Sequence, residues 1–201
     1  MTKPPSSTAA IRQALHQDAT ACWVAVKQSD TRLSRRNYIR ATFAFIEGAL
    51  SIMRQHVLEE VEAKRFEPTH AELALLREET YDLKDNGDVR TRDLFLPALP
   101  SLRFTFDIFA HAHAITAIPD YSAQGWQAFQ HSLKIRHRIT HPKATSDIDV
   151  SDPELDAVEQ AHIWFLESTT SVYVEGRATL MAQLDVARRS LLNAKSGDAA
   201  T

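Results

Sequence analysis

An apolar stripe between Ile39 and Val61 constrains the fold of this chain more than any other feature of its sequence. Apolar residues recur along it at steps of three and four: Ile39, Phe43, Ile46, Leu50, Met53, Val57 and Val61. An α-helix has about 3.6 residues per turn, so this spacing places all of them on one helical face. We expect a long helix that ends near Arg65, before Pro68, and packs this face against other helices.

The rest of the chain also favours long helices, because only five glycines and eight prolines interrupt its 201 residues. Residues typical of helix N-caps precede several segments with helical periodicity. The candidates are Ser7 or Thr8, Asp30 or Thr31, Thr69, Ser122 and Ser151. We therefore expect further helices at about 8–27, 70–79, 101–118, 122–141 and 152–193.

Residues 80–94 break the helical pattern, because polar and apolar residues alternate on either side of Asn86-Gly87. This dipeptide is typical of the turn in a β-hairpin. We expect a small β-hairpin or an ordered loop near 80–94, supported by the helices because an isolated hairpin is only marginally stable. The predicted fold is all-α, an antiparallel helical bundle with this small insertion.

The chain is long enough for one domain with a full core, which we place at residues 9–193. Residues 1–8 and 194–201 are expected to form a disordered N-terminus and a disordered tail. Trp126, Trp164 and Phe165 are expected in the core rather than on the surface as platforms for stacked bases.

Bulk composition excludes several classes of protein. Cys22 is the only cysteine, so an intrachain disulfide is excluded and a thiolate zinc site is not expected. The net charge of −3 argues against a broad surface for duplex DNA. The N-terminus lacks the apolar core of a signal peptide, and the most apolar run, Phe43–Met53, is too short to span a bilayer. We expect a cytoplasmic protein with no membrane partner and no cofactor.

The segment Leu133–Lys143, L-K-I-R-H-R-I-T-H-P-K, places cations and imidazoles at the end of a predicted helix. Pro142 ends that helix, because proline has no amide hydrogen and disfavours helical geometry in the residue before it. The titratable side chains of the segment are Lys134, Arg136, His137, Arg138, His141 and Lys143.

No Asp or Glu occurs between Tyr121 and Ser146, although the chain has 26 acidic residues among 201. Acidic residues resume at Asp147. One interpretation is electrostatic, because cations stabilise the C-terminus of a helix and acids the N-terminus of the next. The other interpretation is that this acid-free segment recognises phosphate.

Arginine and histidine together can support RNA cleavage without a metal ion. Arginine presents a planar set of donors to phosphate oxygens, and histidine exchanges a proton near neutral pH. One imidazole activates the 2′-hydroxyl or protonates the leaving oxygen, while a guanidinium stabilises the charge that develops at phosphorus.

Residues Arg136–Lys143, R-H-R-I-T-H-P-K, resemble the R-x4-6-H motif of HEPN domains. In that family a polar residue usually follows the arginine, as His137 does here. The family motif lies at the end of a helix in an α-helical bundle, before the next long helix. The segment Arg35–Gly48 also looks like the long early helix of HEPN-like bacterial proteins.

The resemblance implies a homodimeric, metal-independent endoribonuclease of a toxin–antitoxin or phage-defence system. In this role Arg136 stabilises the phosphate, His141 acts as general acid and base, and His137 orients or assists. Candidate substrate-binding residues are Arg138, Lys143, Arg36, Asn37 and Glu47. RNA and a second copy of the chain are the expected partners, and a cognate antitoxin is a possible further one. Other HEPN proteins are inert, so a non-catalytic dimerisation module that binds a nucleotide or a protein is the alternative.

Helical geometry leaves two further questions open. Arg136 and His141 are separated by about 500° on an ideal helix and do not share a face. They converge only if the helix unwinds before Pro142 or if a second subunit supplies one of them. His137 and His141 do share a face, so a metal pair completed by His162 or His111 is an alternative. No carboxylate lies at the usual spacing nearby, and we expect no metal.

A stripe of charged residues on the long helix has two interpretations. Arg36, Arg40, Glu47 and Arg54 fall along one side of that helix. They form either a solvated face with ion pairs or a face that contributes Arg36, Asn37 or Glu47 to the candidate site.

Overall fold

Six α-helices, one β-hairpin and a short 3-10 helix (Thr145–Ile148) lie in the part of the chain that the computed structural model describes. This part is residues 8–198 for the backbone and residues 8–182 for the side chains. The elements are α1 (Thr8–Gln28), α2 (Arg32–Glu62), α3 (His70–Leu76), β1 (Glu79–Leu83), β2 (Val89–Asp93), α4 (Ala98–Ala112), α5 (Gln124–Thr140) and α6 (Asp152–Asp198). The predicted all-α bundle with a small β insertion is confirmed.

The predicted apolar stripe lies on α2, which is the central helix. Six of its seven residues are buried, and Val61, near the C-terminus of α2, is half-buried. The other five helices all pack against α2. Thr31 begins the helix as one of the two predicted caps: its hydroxyl accepts from the Ser34 amide at 3.1 Å, and its own amide donates to the Ser34 hydroxyl at 2.9 Å. These bonds satisfy donors that a helix end leaves unpaired.

Ring contacts show that α1 runs antiparallel to α2. His16 packs against Phe45, with ring centroids 5.4 Å apart. Further along α1, Trp23 packs against Tyr38 at 4.9 Å, so the partner on α2 moves backwards as α1 advances.

The same reasoning shows that α5 and α6 are antiparallel. Trp126 near the start of α5 lies 5.3 Å from the ring of Trp164, whereas Arg138 near its end pairs with Glu154 at 2.6 Å. Both tryptophans and Phe165 are buried, which confirms their predicted place in the core.

The bounds of several helices differ from the sequence prediction: α2 ends at Glu62 rather than near Arg65, and α3 ends at Leu76 rather than near 79. The start of α4 is at Ala98 rather than near 101, because Pro100 lies in the first turn, where its missing amide is not needed. The helix ends at Ala112 rather than near 118, because Ala114 adopts a left-handed φ of 51°. The N-cap of α5 is Ala123, so the prediction of Ser122 is wrong; the Ser122 hydroxyl donates instead to Asp120 at 2.6 Å.

The two strands form the predicted hairpin, with Leu83 opposite Val89 at the turn end. Gly87 takes a φ of 84° in the connecting loop, a conformation that glycine adopts without steric cost. The hairpin is tied to α2 by an ion pair of 2.9 Å between Glu78 and Arg54. Leu83 and Val89 are exposed.

The two predicted disordered ends fall largely outside the described residues. Residues 1–7 and 199–201 lie there, whereas α6 continues past 193 to Asp198. No helix in the described part of the chain combines the length and apolarity needed to cross a membrane.

His162 on α6 is a buried imidazole at the junction of α1, α2 and α6. Its Nδ1 lies 3.3 Å from the Tyr38 hydroxyl, and its ring packs 5.6 Å from Phe45 and 6.3 Å from His16. Burial, and then the proximity of His16, lower the pKa of His162 from 6.5 to about 4. The folded protein therefore holds this side chain neutral.

We predict that His162 destabilises the fold as the pH falls. The pKa of His162 is lower in the folded state than in the unfolded state, so the unfolded state binds the proton more tightly. The contribution of neutral His162 to the free energy of unfolding is therefore full above pH 6.5 and is lost as the pH falls towards 4. Between pH 7 and 4.5 the parent should lose about 2 kcal/mol more unfolding free energy than the His162→Gln variant. Urea unfolding of both proteins at the two pH values measures this difference, and equal losses would contradict it.

Candidate functional site

The last turn of α5 is a regular helix and does not unwind before Pro142. The His141 amide donates to the carbonyl of His137 at 3.0 Å, and the Thr140 hydroxyl donates to the carbonyl of Arg136 at 2.7 Å. The helix ends at Thr140, and His141 follows with non-helical dihedral angles. One of the two routes by which Arg136 and His141 were expected to meet is therefore absent.

His137 and His141 form an exposed pair of imidazoles. Their ring centroids lie 5.1 Å apart, with the planes inclined at 52°. Positions four apart share a face of a helix, which explains the contact. The pair is open to solvent, so both rings are accessible to a ligand.

Arg136 projects from a different face and contacts α2. Its Nη2 donates to Oε1 of Glu47 at 2.8 Å, and the two side chains are 36% and 56% exposed. Glu47 therefore does reach the candidate site, where it neutralises part of the arginine charge. In the described part of the chain Arg136 contacts Glu47 and His141 contacts His137, and no contact joins Arg136 to His141.

Arg138, expected to bind substrate, holds the segment between α5 and α6 in place. Its Nη1 donates to the carbonyls of Asp147 at 3.2 Å, Asp149 at 2.9 Å and, at 3.4 Å, Ser146. Its Nη2 donates to Glu154 at 2.6 Å. Both terminal nitrogens are thus engaged within the chain.

Three other predicted binding residues lie around the same helix end. Arg36 is half-buried and donates to the carbonyl of Ile148 at 3.2 Å, and Asn37 is exposed beside it on α2. Lys143 is exposed, and its amide donates to the Asp147 carboxylate at 2.7 Å. The hydrogen bonds from the amides of Lys143 and Ala144 lower the pKa of Asp147.

The charged stripe on α2 splits into two parts. Arg36 contacts the Ile148 carbonyl, and Glu47 contacts Arg136. Arg40, which is exposed, lies on α2 between these two residues. Arg54, by contrast, is buried and donates to Thr105 and Glu78. The solvated interpretation holds for Arg40 but not for Arg54.

The acid-free segment receives its carboxylates from other helices. Within the described side chains, Glu47 of α2 pairs with Arg136 and Glu154 of α6 pairs with Arg138. In the same part of the chain, Lys134 and Lys143 make no ion pair with an acidic side chain. Lys134 therefore adds exposed positive charge one turn before the two exposed imidazoles, whereas Lys143 lies near the carboxylate of Asp147.

A cavity of about 360 Å³ adjoins the site on the Arg136 side. It lies between α2, α5 and residues 94–101, and both Glu47 and Arg136 line it. Phe95, also on its wall, is 94% exposed. Sequence reasoning missed this cavity, because the predicted hairpin ends near 94, the next predicted helix begins near 101, and the residues between them carry no signal for a cavity wall.

The two histidines considered as additional metal ligands contact other residues. His162 is buried against Tyr38, and His111 packs against Phe66 at 5.3 Å. Among the described side chains, no three His, Cys, Asp or Glu are grouped so that they could hold a metal ion.

Comparison with known proteins provides no further identification. A scan against protein-family models and searches of curated proteins and of solved structures found no match. The interpretation of the site therefore depends on its own geometry.

We predict that Arg138 contributes to stability. Removal of the guanidinium in Arg138→Met takes a donor from the carbonyls of Asp147 and Asp149 and from Oε1 of Glu154, which should cost about 2 kcal/mol of unfolding free energy. Lys134→Met on the same helix removes an exposed cation with no described ion pair and is the matched control. Urea unfolding measures both, and equal stabilities of the two variants would contradict a structural role.

Proposed function

We propose that the chain is a metal-independent endoribonuclease that acts as a HEPN-like homodimer. The observation that carries this proposal is the exposed His137–His141 pair, 5.1 Å apart, at the cationic end of α5. Accessible imidazoles at this helix end, together with the guanidinium of Arg136 from a second protomer, supply the proton transfer and the charge stabilisation that RNA cleavage requires. The resemblance to the HEPN motif supports the same activity, including a toxin–antitoxin or phage-defence role.

The reaction that these groups fit is an internal transesterification of RNA. An imidazole takes the proton of the 2′-hydroxyl, and the 2′-oxygen attacks the adjacent phosphorus. The bond from phosphorus to the 5′-oxygen breaks, and that oxygen takes a proton from an imidazolium. The products are a 2′,3′-cyclic phosphate and a 5′-hydroxyl. His141 acts as the general acid and base, His137 orients or assists, and Arg136 stabilises the negative charge at phosphorus.

The proposal requires a second subunit. Five residues on a regular helix place Arg136 and His141 about 140° apart, and the end of α5 is not unwound. A two-fold dimer can bring Arg136 of one protomer to His141 of the other, because each surface occurs once on each copy. RNA and a second copy of the chain are therefore the proposed partners.

The second candidate is a non-catalytic module that binds a nucleotide or a protein at the same surface. The ion pair between Arg136 and Glu47 favours it, because the carboxylate neutralises part of the guanidinium charge that cleavage needs at phosphorus, whereas a site that only binds does not need that stabilisation. The two candidates differ in whether bound RNA is cleaved.

We predict that the purified protein cleaves a labelled RNA pool in EDTA. His141→Ala and Arg136→Ala should each reduce the rate by about 100-fold or more, because each removes a group that acts in the transition state. His131→Ala, an exposed histidine earlier on α5, is the matched control and should cleave like the parent. Unchanged cleavage by both site variants would contradict the assigned roles, and no cleavage by the folded parent would favour the binding module.

We also predict that two inactive variants complement each other. When His141→Ala and Arg136→Ala subunits are mixed and exchanged, half of the dimers are mixed, and each carries one intact composite site. The mixture should recover about a quarter of the parent cleavage rate. No recovery, with mixed dimers verified by differential tags, would show that each site is built within one chain.

A further inference from the structure

Two ion pairs lie at the cavity beside Arg136, and each includes one residue of α2. Glu47 pairs with Arg136, and Arg54 pairs with Glu78, at 2.8 and 2.9 Å respectively. All four side chains line the cavity. Positions 47 and 54 are two helical turns apart, which is about 10 Å along α2. This separation is comparable to the reach of one nucleotide from its phosphate to the far edge of its base.

The wall between the two ion pairs is apolar. Phe43 and Leu50 of α2 and Phe129 and Leu133 of α5 line the cavity of about 360 Å³, and the rings of Phe43 and Phe129 pack together with centroids 6.0 Å apart. This volume is at the lower end of the range for small-molecule sites and suits one planar ring system. A docked helix would need a longer groove, with pockets for residues at positions i, i+3 or i+4, and i+7.

An exposed aromatic residue stands on the wall of the cavity. Phe95 is 94% exposed although it lies between half-buried Leu94 and Leu96. Phenylalanine gains free energy from burial, so near-complete exposure beside an apolar cavity leaves a ring available to stack on a ligand. Aromatic side chains stack on unpaired bases irrespective of their identity.

The Arg54 end of the cavity offers a donor group and an acceptor group, a largely buried guanidinium and the 48% exposed carboxylate of Glu78. The side chain of Arg54 is only 11% exposed and donates to Glu78 and to the Thr105 hydroxyl. That hydrogen bond occupies Oε1 of Glu78, and the described residues place no donor on its Oε2. A guanidinium beside a carboxylate matches the edge of a base, where a ring or carbonyl acceptor lies next to an amino or imino donor.

We propose that this cavity binds one unpaired nucleobase whose phosphate lies at Arg136. The base enters between α2 and α5, stacks on Phe95, and presents its edge to Arg54 and Glu78. Only an unpaired base can do so, because pairing in a duplex occupies that edge. This inference rests on the proposed function in one respect, namely that the ligand at the α5 terminus is RNA.

The test is calorimetric titration, in EDTA, with each of the four nucleoside 5′-monophosphates and with ribose 5-phosphate. Ribose 5-phosphate carries the phosphate without a base, so it reports the phosphate contact alone. At least one nucleotide should bind about ten-fold tighter than ribose 5-phosphate. Equal affinities, or no nucleotide binding up to millimolar concentration, would overturn the proposal.

Two variants and one control locate the binding site. Phe95→Ala should weaken the best nucleotide about five-fold or more, and it should not affect folding because the residue is exposed. Leu83→Ala removes another exposed apolar side chain, on the hairpin and outside the cavity lining, and should bind like the parent. Leu133→Trp, which fills the cavity, should abolish the preference over ribose 5-phosphate. If Phe95→Ala binds like Leu83→Ala, the subsite is wrong.

The failure of this inference can be distinguished from the failure of the proposed ribonuclease. Nucleotide binding that depends on Phe95, in a protein that cleaves no RNA, would retain the subsite and remove the catalytic role. EDTA-resistant cleavage that Phe95→Ala and Leu133→Trp leave unchanged would retain the ribonuclease and remove the subsite.

Discussion

Burial of the apolar stripe of α2 is the constraint on which the rest of the structure depends. Once Ile39, Phe43 and Ile46 face the core, the rotation of α2 about its axis is determined, because a helix cannot turn without exposing them. Glu47 follows Ile46 directly and is thereby placed against α5. The position of the candidate site is therefore a consequence of hydrophobic packing rather than of its own ion pairs.

The acid-free segment from Tyr121 to Ser146 shows how charge ties separate helices together. A segment without acids cannot neutralise its arginines locally, so the carboxylates come from α2 for Arg136 and from α6 for Arg138. The arginines and the histidines of the segment thus have different surroundings. Arg138 serves the structure, whereas the exposed imidazoles of His137 and His141 remain available for chemistry.

Features set by local sequence were predictable, and features set by long-range packing were not. The apolar period of α2, the Thr31 cap and the Asn86-Gly87 hairpin depend on neighbouring residues, and the structure contains all three. The early end of α4 depends on a left-handed Ala114, for which alanine gives no sequence signal. The cavity at Phe95 depends on the path of residues 94–101 beside α2 and α5. The contacts of Arg138 depend on the path of residues 146–149 between α5 and α6.

The ion pair between Arg136 and Glu47 does not by itself decide between catalysis and binding. Its side chains are 36% and 56% exposed, so water screens the pair, and such pairs contribute about 0–1 kcal/mol. A phosphate that takes the place of the carboxylate therefore displaces a weak interaction. The stronger constraint is angular, because the regular end of α5 directs Arg136 and His141 to different faces. The proposed cleavage therefore depends on a second protomer to combine the two residues, whereas a site that only binds can use Arg136 and the cavity of a single chain.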